Sequence, residues 1–287
     1  MTEGALEFSH VSFAYAVPEG ERQGPDVLAD ITFSVPEGSF TILSGQNGSG
    51  KTTLLRLAKP ELAPHGWFSG TISFFGRPID ALSPAESASG IGYVFQDPES
   101  QIVCDMVWHE LAFGLENLGS TQEEMCQRIA ETCYFFGIDS WFRKRTSELS
   151  GGQKQILALA SLMVMRPRLL LLDEPTSMLD PLAAKTFVGL LWRMNQELGI
   201  TVIVATHDPA MLAPYADRAF TLSAGGTLAE AEARALAEAP SALSGMAAVH
   251  PAAAGVAAEL ERVYQRYAAR APWVLRDLSF AVPEGSF

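Results

Sequence analysis

The stretch Gly45-Gln46-Asn47-Gly48-Ser49-Gly50-Lys51-Thr52 restricts what this chain can fold into more than any other. It has the G-x-x-x-x-G-K-[ST] spacing and follows an apolar run, Phe40-Thr41-Ile42-Leu43, that reads as a buried strand. It leads into Thr53 to Ala58, which reads as the opening of a helix. Strand, glycine loop and helix in that order form a phosphate cradle. Gly45, Gly48 and Gly50 let backbone N–H groups converge on phosphate oxygens, and the helix adds its positive N-terminal end. Lys51 is placed to reach the β and γ phosphates, and the Thr52 hydroxyl to ligate Mg²⁺. A turn that binds nothing has no use for Lys-Thr at this spacing.

Other stretches repeat the logic of an apolar strand with a polar end. Leu6 to Tyr15 and Val27 to Val35 alternate apolar and polar residues around a polar loop, 18–25, and read as an antiparallel strand pair. Tyr15, near the strand end, can stack on a base or simply join the core. Thr71 to Gly76 and Ile91 to Phe95 look like further strands. The second ends in Gln96, which can reach a bound metal or water or only cap the sheet edge. Residues 122–143 show helical periodicity through Met125, Ile129, Cys133 and Phe136 and suggest an all-helical insertion.

Leu149-Ser150-Gly151-Gly152-Gln153 runs straight into the apolar stretch Ile156 to Ala160, and so offers either a second anion-binding helix end or a common loop. Leu169 to Leu172 is more specific. Four leucines in a row predict a parallel strand buried on both faces, and the strand ends in Asp173-Glu174. Adjacent buried acids need a cation or a proton: Asp173 suits Mg²⁺ held through water, and Glu174 suits a proton taken from an attacking water. Thr201 to Thr206 is another buried strand and ends in His207, on the edge where open parallel α/β sheets bind ligands.

Length and charge narrow the partners. The chain has 287 residues, enough for one large domain or two small ones, and a formal net charge of −13. That balance disfavours nucleic acid, whose phosphates need clustered Lys and Arg, and offers no polybasic patch for a membrane. The three cysteines, Cys104, Cys126 and Cys133, have no metal-like spacing and fit free thiols in a reducing compartment. No apolar run approaches the roughly 18 residues that span a bilayer. The expectation is therefore a cytoplasmic protein that something else must anchor if it works at a membrane.

Comparing the chain with itself exposes a repeat. Val27 to Phe40 recurs as Val274 to Phe287 with 10 of 14 positions identical, and Leu260-Glu261 and Val263 to Tyr267 echo Leu6-Glu7 and Val11 to Tyr15. The expected organisation is a first domain over 1–228, an alanine-rich linker or short helices over 229–258, and the start of a second copy of the domain over 259–287. The full gene product is then expected to continue with a second cradle, and the partial copy alone to be poorly packed.

With these residues in view, the chain resembles the ATP-binding subunits of ABC transporters over roughly residues 5–228. The motifs stand in that family's order: the phosphate loop at Gly45 to Thr53, which implies Asn47, Ser49 and Thr53 as binding residues too, a Q-loop at Gln96, the signature Leu149 to Gln153, the leucine strand to Asp173-Glu174, a D-loop at Ser177-Met178-Leu179-Asp180, and a switch histidine at His207. Val94 to Val103 and Glu110 to Asn117 look like the energy-coupling factor group, which imports vitamins and transition-metal ions. Ile156, where many members carry arginine, is a departure.

The resemblance implies an α/β P-loop NTPase of the ABC type: a RecA-like parallel core, an antiparallel β subdomain and a helical subdomain at about 100–165. It implies ATP and Mg²⁺, with Tyr15 stacking on adenine and Lys51, Gln96, Glu174 and His207 serving hydrolysis. Ser150, Gly151, Gly152 and Gln153 would bind the ATP held by a second ATPase domain. The implied partners are that domain and integral membrane coupling and solute-binding subunits, with the chain peripheral on the cytoplasmic face. A soluble ABC ATPase of the ribosome-associated type is the alternative; those are usually basic with a long charged linker, unlike this acidic, alanine-rich chain. A nucleotide-binding module that signals without turnover would not need Lys51, Glu174 and His207 together.

Overall fold

The computed structural model describes residues 4–16, 23–238, 256–266 and 275–283. The chain divides into two compact units, Met1–Ala239 and Pro240–Phe287.

In the first unit, strands β1 (Gly4–Ala16) and β2 (Gln23–Pro36) lead to β3 (Phe40–Ser44), whose end turns into α1 (Lys51–Leu57). Next come β4 (Gly66–Phe74), β5 (Arg77–Pro78), α2 (Pro84–Gly90) and β6 (Ile91–Val94). The helical layer follows as α3 (Val107–Asn117), α4 (Gln122–Phe136) and α5 (Gly151–Met163). Then the chain alternates: β7 (Leu169–Asp173), α6 (Pro181–Leu198), β8 (Thr201–Thr206), β9 (Arg218–Leu222), β10 (Leu228–Ala231) and α7 (Ala233–Glu238).

Two sheets result. One has the order β10-β9-β3-β8-β7-β6, parallel except at the β9–β10 edge; the other is antiparallel in the order β2-β1-β4-β5. The parallel sheet separates two apolar cores, and strand alternation assigns its side chains to them. Leu170 and Leu172 join Ile42, Val202 and Val204 in the core shared with the helices. Leu169 and Leu171 join Leu43, Ile203 and α1 in the core shared with the antiparallel sheet. Four consecutive leucines, each fully buried, are what a strand covered on both faces demands.

The elements differ from the sequence expectations in three places. The predicted helix at 122–143 stops at Phe136, because Gly137 adopts a left-handed φ of 65° and caps it. The predicted strand at 71–76 starts earlier, at Gly66. Composition places the end of the first domain at 228, yet β10 pairs with β9 and Ala231, Ala233 and Leu236 pack on the helical-side core. The first unit thus reaches Ala239. Much of the rest of the expected linker, and part of the 18–25 loop, lies outside the described residues.

The second unit holds β11 (Val256–Gln265) and β12 (Leu275–Pro283), an antiparallel pair. Its register repeats that of β1 and β2: it keeps Val263 as the counterpart of Val11, as the sequence echo has it, and moves only the echo at Leu260-Glu261, by two residues. Leu260 faces Phe280 as Phe8 faces Phe33, and Val263 faces Leu278 as Val11 faces Ile31. Leu260 is therefore the counterpart of Phe8, not of Leu6. The irregularities repeat as well. Arg262 and Asp277 have φ of 51° and 52°, as His10 and Asp30 have 51° and 53°. The Arg262 N–H donates to Ser279 Oγ at 2.8 Å, as that of His10 donates to Thr32 Oγ1 at 2.9 Å.

Candidate functional site

Because β3, β6, β7 and β8 are parallel, their carboxyl ends fall on one edge of the sheet, where the phosphate loop, Gln96, Glu174 and His207 follow them. A cleft of about 470 Å³ opens there. Tyr15, Asn47, Gly48, Gly50, Lys51, Thr52, Thr53, Gln96, Glu174 and His207 all line it, and Val27, which no motif marked, is the further wall.

The phosphate loop is shaped by contacts only glycine permits. A Cβ at Gly45 would lie 2.5 Å from the Leu222 carbonyl oxygen and 2.7 Å from Ser49 Oγ. Gly50, the residue before α1, has φ 101°. Lys51 is buried, and its Nζ donates to the carbonyls of Gly45 at 2.7 Å and Gln46 at 3.0 Å. Glu174 Oε1 lies 3.4 Å from that Nζ, an attraction of opposite charges without a hydrogen bond. Glu174 Oε2 meets His207 Nδ1 at 2.8 Å, and since a carboxylate can only accept, the imidazole donates.

Glu174 stands at φ 47°, a left-handed conformation that costs a non-glycine residue about 1–3 kcal/mol. The turn is held by its N–H, which donates to the Ala205 carbonyl at 2.9 Å, and by Ser177 Oγ, which donates to the Glu174 carbonyl at 2.8 Å.

Thr52 Oγ1 donates to Asp173 Oδ1 at 3.0 Å, and Tyr93 OH donates to Asp173 Oδ2 at 3.3 Å. Burial raises the Asp173 carboxyl above its ordinary value, opposed by these two hydrogen bonds. The Tyr93 phenol is likewise pushed up, by its own burial and then by the Asp173 charge. Tyr93 is a partner that no motif marked, whereas Ser177, tied to the Glu174 carbonyl, opens the D-loop named above. Tyr93 carried a faint signal, sitting two strand positions before Phe95 in the β6 run that leads to Gln96.

Glu174 Oε1, in the wall of the cleft, is buried without a hydrogen-bond partner, as is Ser49 Oγ within the phosphate loop. A buried carboxylate oxygen left open at the cleft fits a water. For a cation the donors at hand are the Thr52 hydroxyl, the Asp173 carboxylate and the Gln96 amide. No cluster of three or more His, Cys, Asp or Glu occurs among the described residues. So sparse a set of oxygen ligands suits Mg²⁺, which keeps several waters and takes phosphate oxygens, rather than a metal caged by protein alone. Tyr15, with an exposed ring edge-to-face on Phe13, is anchored by its hydroxyl to Thr53 Oγ1 at 2.8 Å.

Ser150 to Gln153 do not reach this cleft. Ser150 caps α5: its Oγ accepts from the Gln153 N–H at 3.3 Å, and Gln153 Oε1 accepts from the Ser150 N–H at 3.0 Å. A Cβ on Gly152 would approach that of Ala183 to 2.9 Å, so this glycine lets α5 sit close to α6, whereas Gly151 faces open space. The helix end is thus open at Gly151. A cavity of about 520 Å³ elsewhere is lined by Arg166 and Arg168, which already pair with Glu131 and Glu37.

Comparison with known proteins points the same way. The family described as ABC transporter matches residues 28–177, and an AAA-domain family matches 145–213. An ABC transporter ATP-binding protein of Bacillus thuringiensis subsp. konkukian is 45% identical over 219 residues, covering 76% of this chain and 39% of that protein. The chain thus spans about two-fifths of the length of this relative. The energy-coupling factor transporter ATP-binding protein EcfA1 of Ligilactobacillus salivarius is 38% identical over 226 residues, 78% of this chain and 77% of that protein. Among solved structures, cbiO1 from Clostridium perfringens, part of the ABC transporter complex cbiONQ, superposes with a TM-score of 0.72 at 32% identity, over 82% of this chain and 90% of that one. On the cleft, the motif order and these relatives together, the chain belongs to the ATP-binding proteins of the ABC transporter family.

Proposed function

We propose that this chain is the ATP-hydrolysing part of an importer of the energy-coupling factor type, and that it works as one half of a nucleotide sandwich. The observation that carries the reading is the Lys51–Glu174–His207 arrangement, set on three strand ends around the phosphate loop. Relatives named as energy-coupling factor ATP-binding proteins support the group. No helix among the described residues is long and apolar enough to cross a membrane, so membrane subunits would anchor the chain peripherally at the cytoplasmic face and select the solute, a vitamin or a transition-metal ion. The second ATPase domain would supply the signature for this cleft, and Ser150, Gly151, Gly152 and Gln153 would serve the ATP held by that domain. The repeated β11–β12 ribbon supports a tandem arrangement in one chain.

In this reading Lys51 leaves the Gly45 and Gln46 carbonyls for the β and γ phosphates, and the loop amides hold the remaining phosphate oxygens. Thr52, Asp173 and Gln96 would hold Mg²⁺, which neutralises charge on the transferred phosphoryl group. Once Lys51 turns to phosphate, Glu174 is free to orient a water and accept its proton, while His207 contacts the γ-phosphate. Tyr15 stacks on the adenine. Fixed donors aimed at the phosphoryl group account for most of the catalysis.

Replacing Glu174 with Gln tests this. The expected result is hydrolysis reduced at least a hundredfold with ATP binding and nucleotide-dependent domain association retained. Unchanged turnover would refute the assigned role.

A further inference from the structure

We propose that the Glu99–Lys154 ion pair is a positioning link that ties the signature helix α5 to the turn carrying Gln96, and through Ser177 to the main chain of Glu174. The inference rests on the nucleotide-sandwich reading, in which one domain's signature touches one ATP while its Glu174 faces the other. A single domain then needs some connection between its two functional ends, and a contiguous set of side chains provides one.

Lys154, in the first turn of α5, pairs with Glu99 in the short turn Pro98–Ser100, which packs against that helix. The Lys154 side chain is only 17% exposed, so its ammonium is held rather than free. The segment it grips is braced at nearly every step. Gln101 Oε1 accepts from the Phe95 N–H at 3.1 Å, and Asp97 Oδ1 from the Glu99 N–H at 3.0 Å. Ser100 Oγ donates to the Asp97 carbonyl at 2.7 Å. Buried Glu110 accepts from the N–H groups of Val103 at 3.0 Å and Cys104 at 2.8 Å. A turn bonded this way moves as a unit, so a shift of α5 passed through Glu99 reaches Gln96.

From there Gln96 Nε2 donates to Ser177 Oγ over a long 3.4 Å, and Ser177 Oγ donates to the Glu174 carbonyl at 2.8 Å. The chain ends on the residue whose backbone is strained at φ 47°. Small displacements there reorient the Glu174 carboxylate between Lys51 and His207. Lys154 and Glu99 touch no reacting atom; they are positioning residues.

The test is a charge exchange in the full protein: Glu99→Lys, Lys154→Glu and the two together, with Lys154→Arg as the conservative variant. ATP affinity, steady-state hydrolysis and unfolding midpoint are read for each. Each single exchange should lower kcat about two- to fivefold, the scale of one partly exposed ion pair. ATP affinity and the midpoint should hold. Lys154→Arg should keep the native rate, and the double exchange should recover most of the loss. Ser177→Ala should cause a loss of similar size that does not multiply with that of Lys154→Glu. Native rates in the single exchanges, losses that multiply, or a midpoint that falls in step with kcat would each overturn the link. Glu99→Gln and Lys154→Gln replace any exchange that fails to fold. Glu174→Gln separates the two readings: if it still hydrolyses ATP, the ATPase reading fails, whereas a dead Glu174→Gln beside unaffected charge variants removes only the link.

Discussion

Asp173 carries a charge where burial opposes it, and the hydroxyls of Thr52 and Tyr93 compensate only in part. A carboxyl whose folded value is raised stabilises the fold most below its ordinary 3.8 and loses that contribution as pH rises through the folded value. At neutral pH the ionised Asp173 therefore weakens the nucleotide-free protein. Asp173→Asn keeps an acceptor for Thr52 and removes the charge, so its urea midpoint should exceed that of the native chain at pH 7, with the gap closing toward pH 3. In the presence of ATP and Mg²⁺ the order should reverse, because only the native residue gains from the cation. A less stable Asn variant without nucleotide at pH 7 would mean that the hydrogen bonds outweigh the desolvation. The same balance accounts for what motif reading could see. Asp173 and Glu174 were legible because two acids after four leucines have few other uses. Tyr93 was not, because its contact with Asp173 arises from the pairing of β6 with β7, which no local pattern encodes.

At the scale of elements, α5 joins two roles in one residue. Ser150 is an N-cap, a role in which Ser, Asp and Asn are nearly equivalent, and it also stands where the family reading places a phosphate. Ser150→Asp separates them. The cap should survive, with stability within about 0.5 kcal/mol of the native chain, while the new anion repels the nucleotide held by the facing domain. Hydrolysis should then fall at least tenfold, and urea unfolding beside steady-state rates would show it; a lost cap with retained turnover would reverse the assignment. Local chemistry also explains which elements were readable. The strands ending in Ser44, Asp173 and Thr206 announce themselves because burial on both faces leaves little choice of residue. The short helix α7 is one of the two forms that the alanine-rich composition allows, whereas β10 has no local signal, because alanine and glutamate say little about what a short edge strand pairs with and only the β9 register shows it.

For the whole molecule, the two copies of the β ribbon share register, left-handed positions and a side-chain cap, yet differ in their surroundings. β1 is paired on both edges, by β2 and by β4, and its Phe8, Val11 and Phe13 are buried. β11 has one partner strand among the described residues, and Phe280, the counterpart of Phe33, is 47% exposed. An isolated pair of strands is marginal in water, since it orders its backbone without burying a face. Amides of β11 should therefore exchange with solvent orders of magnitude faster than those of β1 in this 287-residue chain. Extending the chain with a second domain that supplies a strand like β4 should slow them to the rate of β1. Hydrogen exchange read by mass spectrometry over 256–283 distinguishes the outcomes. Protection of β11 equal to that of β1 without any extension would mean that the ribbon already has a partner, and that its likeness to β1 and β2 does not mark the start of a second ATPase domain.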